Sequence, residues 1–380
     1  MSKLHELKAR GQSIWVDNLR RDLVSSGELQ RLITEDGVSG VTSNPTILAA
    51  AITASPDYDG HITELARSGA SVIDLYASLV ATDILSGCDV LHPVWEESNR
   101  LDGFVSVEVS PAVSNDTDAT VAEAHDWIKR IDRDNLLVKV PATEAGVAAI
   151  ERLTAEGVSV NVTLIFSLAR YRDVIEAYLA GIERFISSGG DPRKVVSFAS
   201  FFVSRVDTEV DRRLDEMAGA ERAETVALRG KAGIANARVA YGIFTDAFST
   251  ERWAHLAAAG AHAQEPLWAS TGVKDPAYRD TMYVEELIAA DTVNTMPEAT
   301  IRAFQHHGDT SRTPFTMDDI AEARQALDAL RAIGVDVEDI ATNVLEPQGI
   351  DKFARSFDEL VARLEEKRSA HSSIRPRGPR

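Results

Sequence analysis

Lys139 stands in the apolar run NLLVKVP, with Leu136, Leu137 and Val138 before it and Val140 and Pro141 after. Burial disfavours an ammonium and lowers its pKa, leaving a share of free amine. A free amine can attack a ketone to form a Schiff base, and the Schiff base then serves as an electron sink. The competing account is structural: a lysine at a sheet edge whose ammonium snorkels to water, or an ion pair with Glu108 or Asp17. Schiff-base chemistry also needs a group to protonate the carbinolamine, help expel water and move the proton of the reacting hydroxyl. Glu108 in FVSVEVS and Asp17 at the end of SIWVD are the candidates. Thr163 could hold a water for that traffic, although threonine in a strand is also simply a good strand former.

Further polar residues interrupt other apolar runs. Asn44 (GVTSN) and Asn161 (VSVNVTLIF) could hydrogen-bond substrate hydroxyls, and Asn44 before Pro45 also fits a helix cap. Ser200 lies in the sixth run, Ser270 ends the seventh, and Asn294 interrupts the eighth. For an anionic group, Arg205 follows SFFVS, and Ser270-Thr271-Gly272-Val273-Lys274 forms a small hydroxyl-rich turn with a cation. Backbone N–H groups of such a turn, with Arg205 and Lys274, suit a phosphate. Solvated salt bridges are the plainer reading of either cation alone.

These residues need elements to position them. Short β-branched runs at Ser13–Asp17, Gly40–Asn44, Phe104–Ser110, Asn135–Pro141, Ser159–Phe166, Val195–Phe202, Glu265–Ser270 and Asp291–Met296 read as eight strands. Between them Gly27–Glu35, Ser71–Gly87, Ala119–Ile131, Ala145–Ala155 and Leu168–Ile186 carry apolar residues at helical spacing. Eight strands alternating with helices predict an α/β fold, a (β/α)8 TIM barrel, with an open doubly wound sheet as the alternative. No G-x-G-x-x-G follows the first run, which weakens the dinucleotide-binding version of that alternative. In a barrel, polar residues near the C-terminal ends of all eight strands form a ring around one site.

The remaining segments are expected outside the barrel. Val206–Ala263 reads as mostly helical, including Glu224–Phe248, and Met317–Leu364 as two or three more helices. No Pro/Gly/Ser-rich linker separates them, so residues 1–366 read as one domain. Residues 367–380, basic with two prolines, read as a disordered tail.

Composition narrows the function classes. With 40 Lys+Arg against 59 Asp+Glu the 380-residue chain carries a formal charge of −19, which argues against a general nucleic-acid role. A small phosphorylated substrate, seeing only the field of its pocket, stays open. The single cysteine, Cys88, cannot form an intramolecular disulfide and reads as a small buried residue. No signal-peptide core and no run of ~20 apolar residues is present, so a cytoplasmic protein without membrane contact is expected. No metal site is expected: His306-His307 lacks a partner at ligand spacing, and His92 precedes a proline. Gly230-Lys231 is followed by Ala232, unlike a Walker A loop, and no serine sits in a nucleophile elbow.

Taken together, IWVDNLRRD, GVTSNPTI, VSVEVSP, NLLVKVPAT, VSVNVTLIFS, FFVSRVD and LWASTGVKDP resemble the transaldolase family over roughly Leu4 to Leu364. The resemblance implies a (β/α)8 barrel and a cofactor-free transfer of a dihydroxyacetone unit. The donor is sedoheptulose 7-phosphate and the acceptor glyceraldehyde 3-phosphate, giving erythrose 4-phosphate and fructose 6-phosphate in the non-oxidative pentose phosphate pathway. Carried over motif by motif, Lys139 becomes the Schiff-base lysine. Glu108 and Thr163 manage the proton through a bound water, and Asp17 acts on the reacting hydroxyl at cleavage. Asn44, Asn161 and Ser200 orient the substrate, while Arg205 and Ser270 bind its phosphate. One departure stands out. Many members have an arginine two residues beyond the serine, where this chain has Gly272, and Lys274 is the residue placed to supply that charge. Sugar phosphates are the expected partners, and the chain is expected to be a monomer or homodimer. Two other readings compete: an aldolase of the same barrel that releases free dihydroxyacetone from fructose 6-phosphate, and a non-catalytic sugar-phosphate-binding barrel.

Overall fold

A computed structural model describes residues 2–43, 48, 51–52, 55–217 and 222–372. Eight parallel strands close into a barrel in sequence order: β1 (Gln12–Val16), β2 (Gly40–Thr42), β3 (Val105–Glu108), β4 (Leu136–Pro141), β5 (Val160–Ile165), β6 (Ser197–Phe202), β7 (Gln264–Ala269) and β8 (Thr292–Met296). β8 pairs with β1 from Gln12↔Thr292 to Val16↔Met296, so the open doubly wound alternative is excluded. Each of the eight apolar runs overlaps one strand, β1 and β7 starting one residue before theirs.

Alternation along each strand divides barrel interior from helix-facing exterior. Trp15, Phe104, Leu137, Phe198, Leu267 and Val293 meet in the middle of the barrel as one buried cluster. Trp15 packs edge-on to Phe198 at 4.8 Å, and its indole N–H donates to Asp102 at 2.9 Å. Gly40 on β2 makes room for that ring, since a Cβ there would lie 2.4 Å from it. Above this plug, toward the strands' C-terminal ends, the interior turns polar.

Helices start where side chains cap them. Ser71, Asp116, Thr143 and Ser167 each accept a first-turn N–H, opening the helices Val72–Glu97, Thr117–Ile131, Glu144–Ala155 and Leu168–Ser187. Val72–Glu97 runs ten residues beyond the expected Gly87. That glycine packs helically against Leu19 and ends nothing. The expected helical stretch Glu224–Phe248 is broken instead. Gly230 has φ +68°, and the helix Ala232–Ala247 starts anew after it. Asp207 and Asp211, one turn apart on the helix Ser204–Met217, accept the N–H groups of Gly233 (2.7 Å) and Gly230 (3.0 Å). These acceptors come from another helix, so the window's own periodicity could not show the break.

After β8 the chain forms Glu298–His307, Met317–Ala332 and Val337–Ile340, then a π-helical turn Ala341–Leu345 leading into the C-terminal helix Glu346–Ser372. Residues 367–372, expected in the tail, are helical: Lys367 donates to Asp59 and to the Ile52 carbonyl and so fastens the end to the barrel. Among the described residues no helix is long and apolar enough to cross a membrane.

Candidate active site

Lys139 and Glu108 are register partners on β4 and β3, both pointing inward. Each is only 7% exposed. The Lys139 ammonium donates to the Glu108 carboxylate and to the Ser43 carbonyl, both at 3.3 Å. Burial pushes the Glu108 carboxyl above the ordinary glutamate range, opposed first by Lys139. The ion pair considered as a structural alternative is therefore present, and its lysine lines a cleft.

That cleft, of about 160 Å³, opens at the C-terminal end of the barrel and is lined by Asp17, Lys139, Thr163, Ser200, Arg205, Ser270 and Lys274 among others. Asp17 accepts from the Thr42 hydroxyl at 2.9 Å, and Thr42 lies 2.9 Å from the Thr295 hydroxyl. Because Thr42 spends its one proton on Asp17, Thr295 donates to Thr42. Thr163 presents a buried hydroxyl with no hydrogen-bond partner among the described residues. Asn161 lies beneath the cleft: its amide donates to Ser106 (3.0 Å) and accepts from Ser200 (2.7 Å), orienting the Ser200 hydroxyl. Asn44 falls outside the described residues.

The strand β5 is bulged where it meets the site. Its register with β6 slips between Val162 and Ile165, and Leu164 adopts φ +59°. Ser270, at φ +58°, makes a second left-handed turn directly after β7. Such conformations cost of order 1–3 kcal/mol each and concentrate at functional sites. Thr163 lines the cleft, and Leu164 packs with Phe166 and Leu345. Ser270 is bound to Ser204 by hydroxyl (2.8 Å) and backbone (3.1 Å), joining the β6 and β7 loops.

Cations gather in the cleft beside Lys139. Arg205, in the first turn of the helix after β6, stacks over Phe202 at 5.1 Å, and burial lowers its pKa. The Lys274 ammonium lies 3.6 Å from where a Cβ on Gly272 would stand, in space that glycine leaves unused.

Sequence reasoning misjudged one polar position and missed three. On β8 the alternation puts Thr295, and not Asn294, in the cleft. A one-residue choice decides the face, and both residues are polar. Thr42 and Thr295 orient Asp17, yet threonine is ordinary in strands. Lys352 reaches the cleft from the C-terminal helix. As one of 40 basic residues it carried no local signal. Elsewhere, Cys88 is buried and its thiol is pushed up to about 12, while His307 pairs with Asp280 at 2.7 Å. Among the described residues no group of three or more His, Cys, Asp and Glu could hold a metal ion.

The family model described as "Transaldolase/Fructose-6-phosphate aldolase" matches residues 14–364. A Saccharopolyspora erythraea protein named transaldolase is 50% identical over 366 residues, covering 96% of this chain and 98% of its own length. Proteins of the same name from Thermobifida fusca and Mycobacterium leprae are 48% and 49% identical, over 98% and 96% of this chain and 100% and 96% of theirs.

Proposed function

The chain belongs to the transaldolase/fructose-6-phosphate aldolase family, and from that premise we propose how it acts as a transaldolase, moving a dihydroxyacetone unit between sugar phosphates. The donor is sedoheptulose 7-phosphate and the acceptor glyceraldehyde 3-phosphate, within the cytoplasmic non-oxidative pentose phosphate pathway. The observation that carries the chemistry is a buried lysine, paired with a buried carboxyl, that lines a cleft together with further cations.

The Lys139 amine attacks the ketone carbon of the donor. Glu108, whose carboxyl burial raises above the ordinary glutamate range, takes the proton that the Lys139 ammonium must lose and gives it to the carbinolamine hydroxyl, and water leaves as the imine forms. Thr163 supports the same traffic, its unpartnered hydroxyl being free to hold the water that relays the proton. Asp17, oriented by Thr42, takes the proton of the reacting hydroxyl. The carbon–carbon bond then breaks, its electron pair passing into the imine as an enamine. The shortened aldose departs, the enamine attacks the acceptor aldehyde, and water releases the product from Lys139. Ser200, positioned by Asn161, and Asn44 bind hydroxyls of the three-carbon unit and hold it until an aldehyde arrives. Arg205, Ser270 and Lys274 hold the phosphate.

Borohydride reduction in the presence of fructose 6-phosphate tests this reading. The expected result is a reduced dihydroxyacetone adduct that peptide mapping locates on Lys139, and that is absent in Lys139→Met. A protein that binds the sugar phosphate yet forms no adduct is a binding barrel, and the Schiff-base reading fails. Product analysis with and without an aldehyde acceptor separates transfer from simple cleavage.

A further inference from the structure

Arg205 and Lys274 stand on the loops after β6 and β7, where a barrel ordinarily keeps its ligand contacts. The third cation of the cleft arrives from outside the barrel repeat. Lys352 lies in the second turn of the C-terminal helix, and lines the cleft together with Arg205 and Lys274. Those two cations, with partial burial, hold its ammonium below the usual lysine range. Among the described residues none of the three makes an ion pair or a side-chain hydrogen bond, although the chain has 19 more acidic than basic residues. Asp17 and Glu108 act on Arg205 from a distance, but three positive charges without an ion pair in one cleft repel one another, and a phosphate dianion removes that repulsion.

The helix is seated so as to deliver this side chain. Its first residue, Glu346, pairs with Arg170 at 3.3 Å. One turn before Lys352, on the same face, Gly349 lies against the bulged end of β5. A Cβ at Gly349 would stand 3.2 Å from Phe166 and 3.4 Å from Leu164. The π-helical turn Ala341–Leu345 immediately upstream shifts the register of the side chains that follow it.

We infer that Lys352 is a specificity-determining residue of this cleft: with Arg205 and Lys274 it binds the phosphate of the sugar, making the C-terminal helix part of what separates phosphorylated from unphosphorylated substrates. The inference rests on the transfer reading above for its substrate class. Its geometry is independent of it.

The test compares full-length wild type, Lys352→Met and Lys352→Arg. With sedoheptulose 7-phosphate as donor, kcat/KM is measured for glyceraldehyde 3-phosphate and for unphosphorylated glyceraldehyde. Inorganic phosphate binding is measured by calorimetry. Lys352→Met is expected to lower the ratio of the two kcat/KM values about tenfold or more, through KM, and to weaken phosphate binding by a similar factor. Lys352→Arg is expected to retain most of both. An unchanged ratio in Lys352→Met, or an equal loss with both acceptors, overturns the inference and leaves Lys352 a structural lysine. Calorimetry with inorganic phosphate requires no transfer. Weakened binding in Lys352→Met therefore upholds the assignment even if the wild type transfers nothing, in which case the reaction reading is what has failed.

Discussion

The Glu108 carboxyl lies 3.3 Å from the Lys139 ammonium, each residue only 7% exposed, and its titration answers to those surroundings. Burial raises the Glu108 carboxyl, Lys139 and Arg205 pull it back, and Asp17 adds to the rise. The sign has a kinetic consequence. A carboxylic acid with a raised pKa stays protonated to higher pH than an exposed glutamate does, so the proton needed to expel water is still present there. The rate of imine formation, read by the pH dependence of borohydride trapping, is expected to fall as pH rises through that raised value. Glu108→Gln is expected to slow trapping by 10²- to 10⁴-fold and to lose that limb. A Gln variant with the wild-type limb would assign the titration to another group. The threonines show a quieter version of the same point. Thr42 and Thr295 touch no expected site residue in sequence, yet they fix which oxygen of Asp17 faces the cleft.

Among the elements, the C-terminal helix and the bulged β5 depend on each other. Leu164 has a left-handed backbone and packs with Phe166, and Gly349 is the position at which the helix meets it. Filling that contact moves the helix. Gly349→Val is expected to lower the preference for phosphorylated over unphosphorylated acceptor in the same direction as Lys352→Met. It should also lower the melting temperature, because overpacking a tight contact costs typically 1–3 kcal/mol. A lower melting temperature with an unmoved preference would show that the helix seats itself independently of Lys352. The β7 loop is held by comparable ties just beyond Lys274: Tyr278 donates to Asp211 at 2.6 Å, and Asp275 pairs with Arg229 at 2.9 Å. Asp211 thus serves both the helix break at Gly230 and the phosphate-side loop.

At the scale of the whole molecule, the two ends of the barrel carry opposite charge problems. The C-terminal end gathers unpaired cations. Near the other end Glu265 lies with Asp102 and Asp291, and burial followed by these two charges pushes its carboxyl up to about 8. In the unfolded chain Glu265 ionises near the ordinary glutamate value. The folded state therefore gains from the protonated form, a contribution fully present below about pH 4.5 and lost as pH rises through about 8. Glu265→Gln is expected to melt like the wild type near pH 4.5, which is the model value for that carboxyl, and higher than the wild type above pH 8 in scanning calorimetry. Equal melting temperatures at both pH values would mean that Glu265 is relieved of its burial by water.

Eight strands were legible in the sequence because parallel barrel strands are buried on both faces and read as apolar runs, so that Lys139, Glu108 and Thr163 stood out as interruptions. The motifs that carried the family were local for the same reason, since each spans one strand and the turn after it. What periodicity could not settle was anything that depends on a partner far along the chain. Closure of β8 onto β1, the choice of Thr295 over Asn294 for the inner face, the helix break capped by Asp207 and Asp211, and the arrival of Lys352 are all contacts between distant segments. Chain order and residue type thus determined the strands, their polar interruptions and the chemistry these can perform. Only the tertiary structure decided which charges share a cleft, because Coulomb energy and burial depend on distance in space and not on separation along the chain.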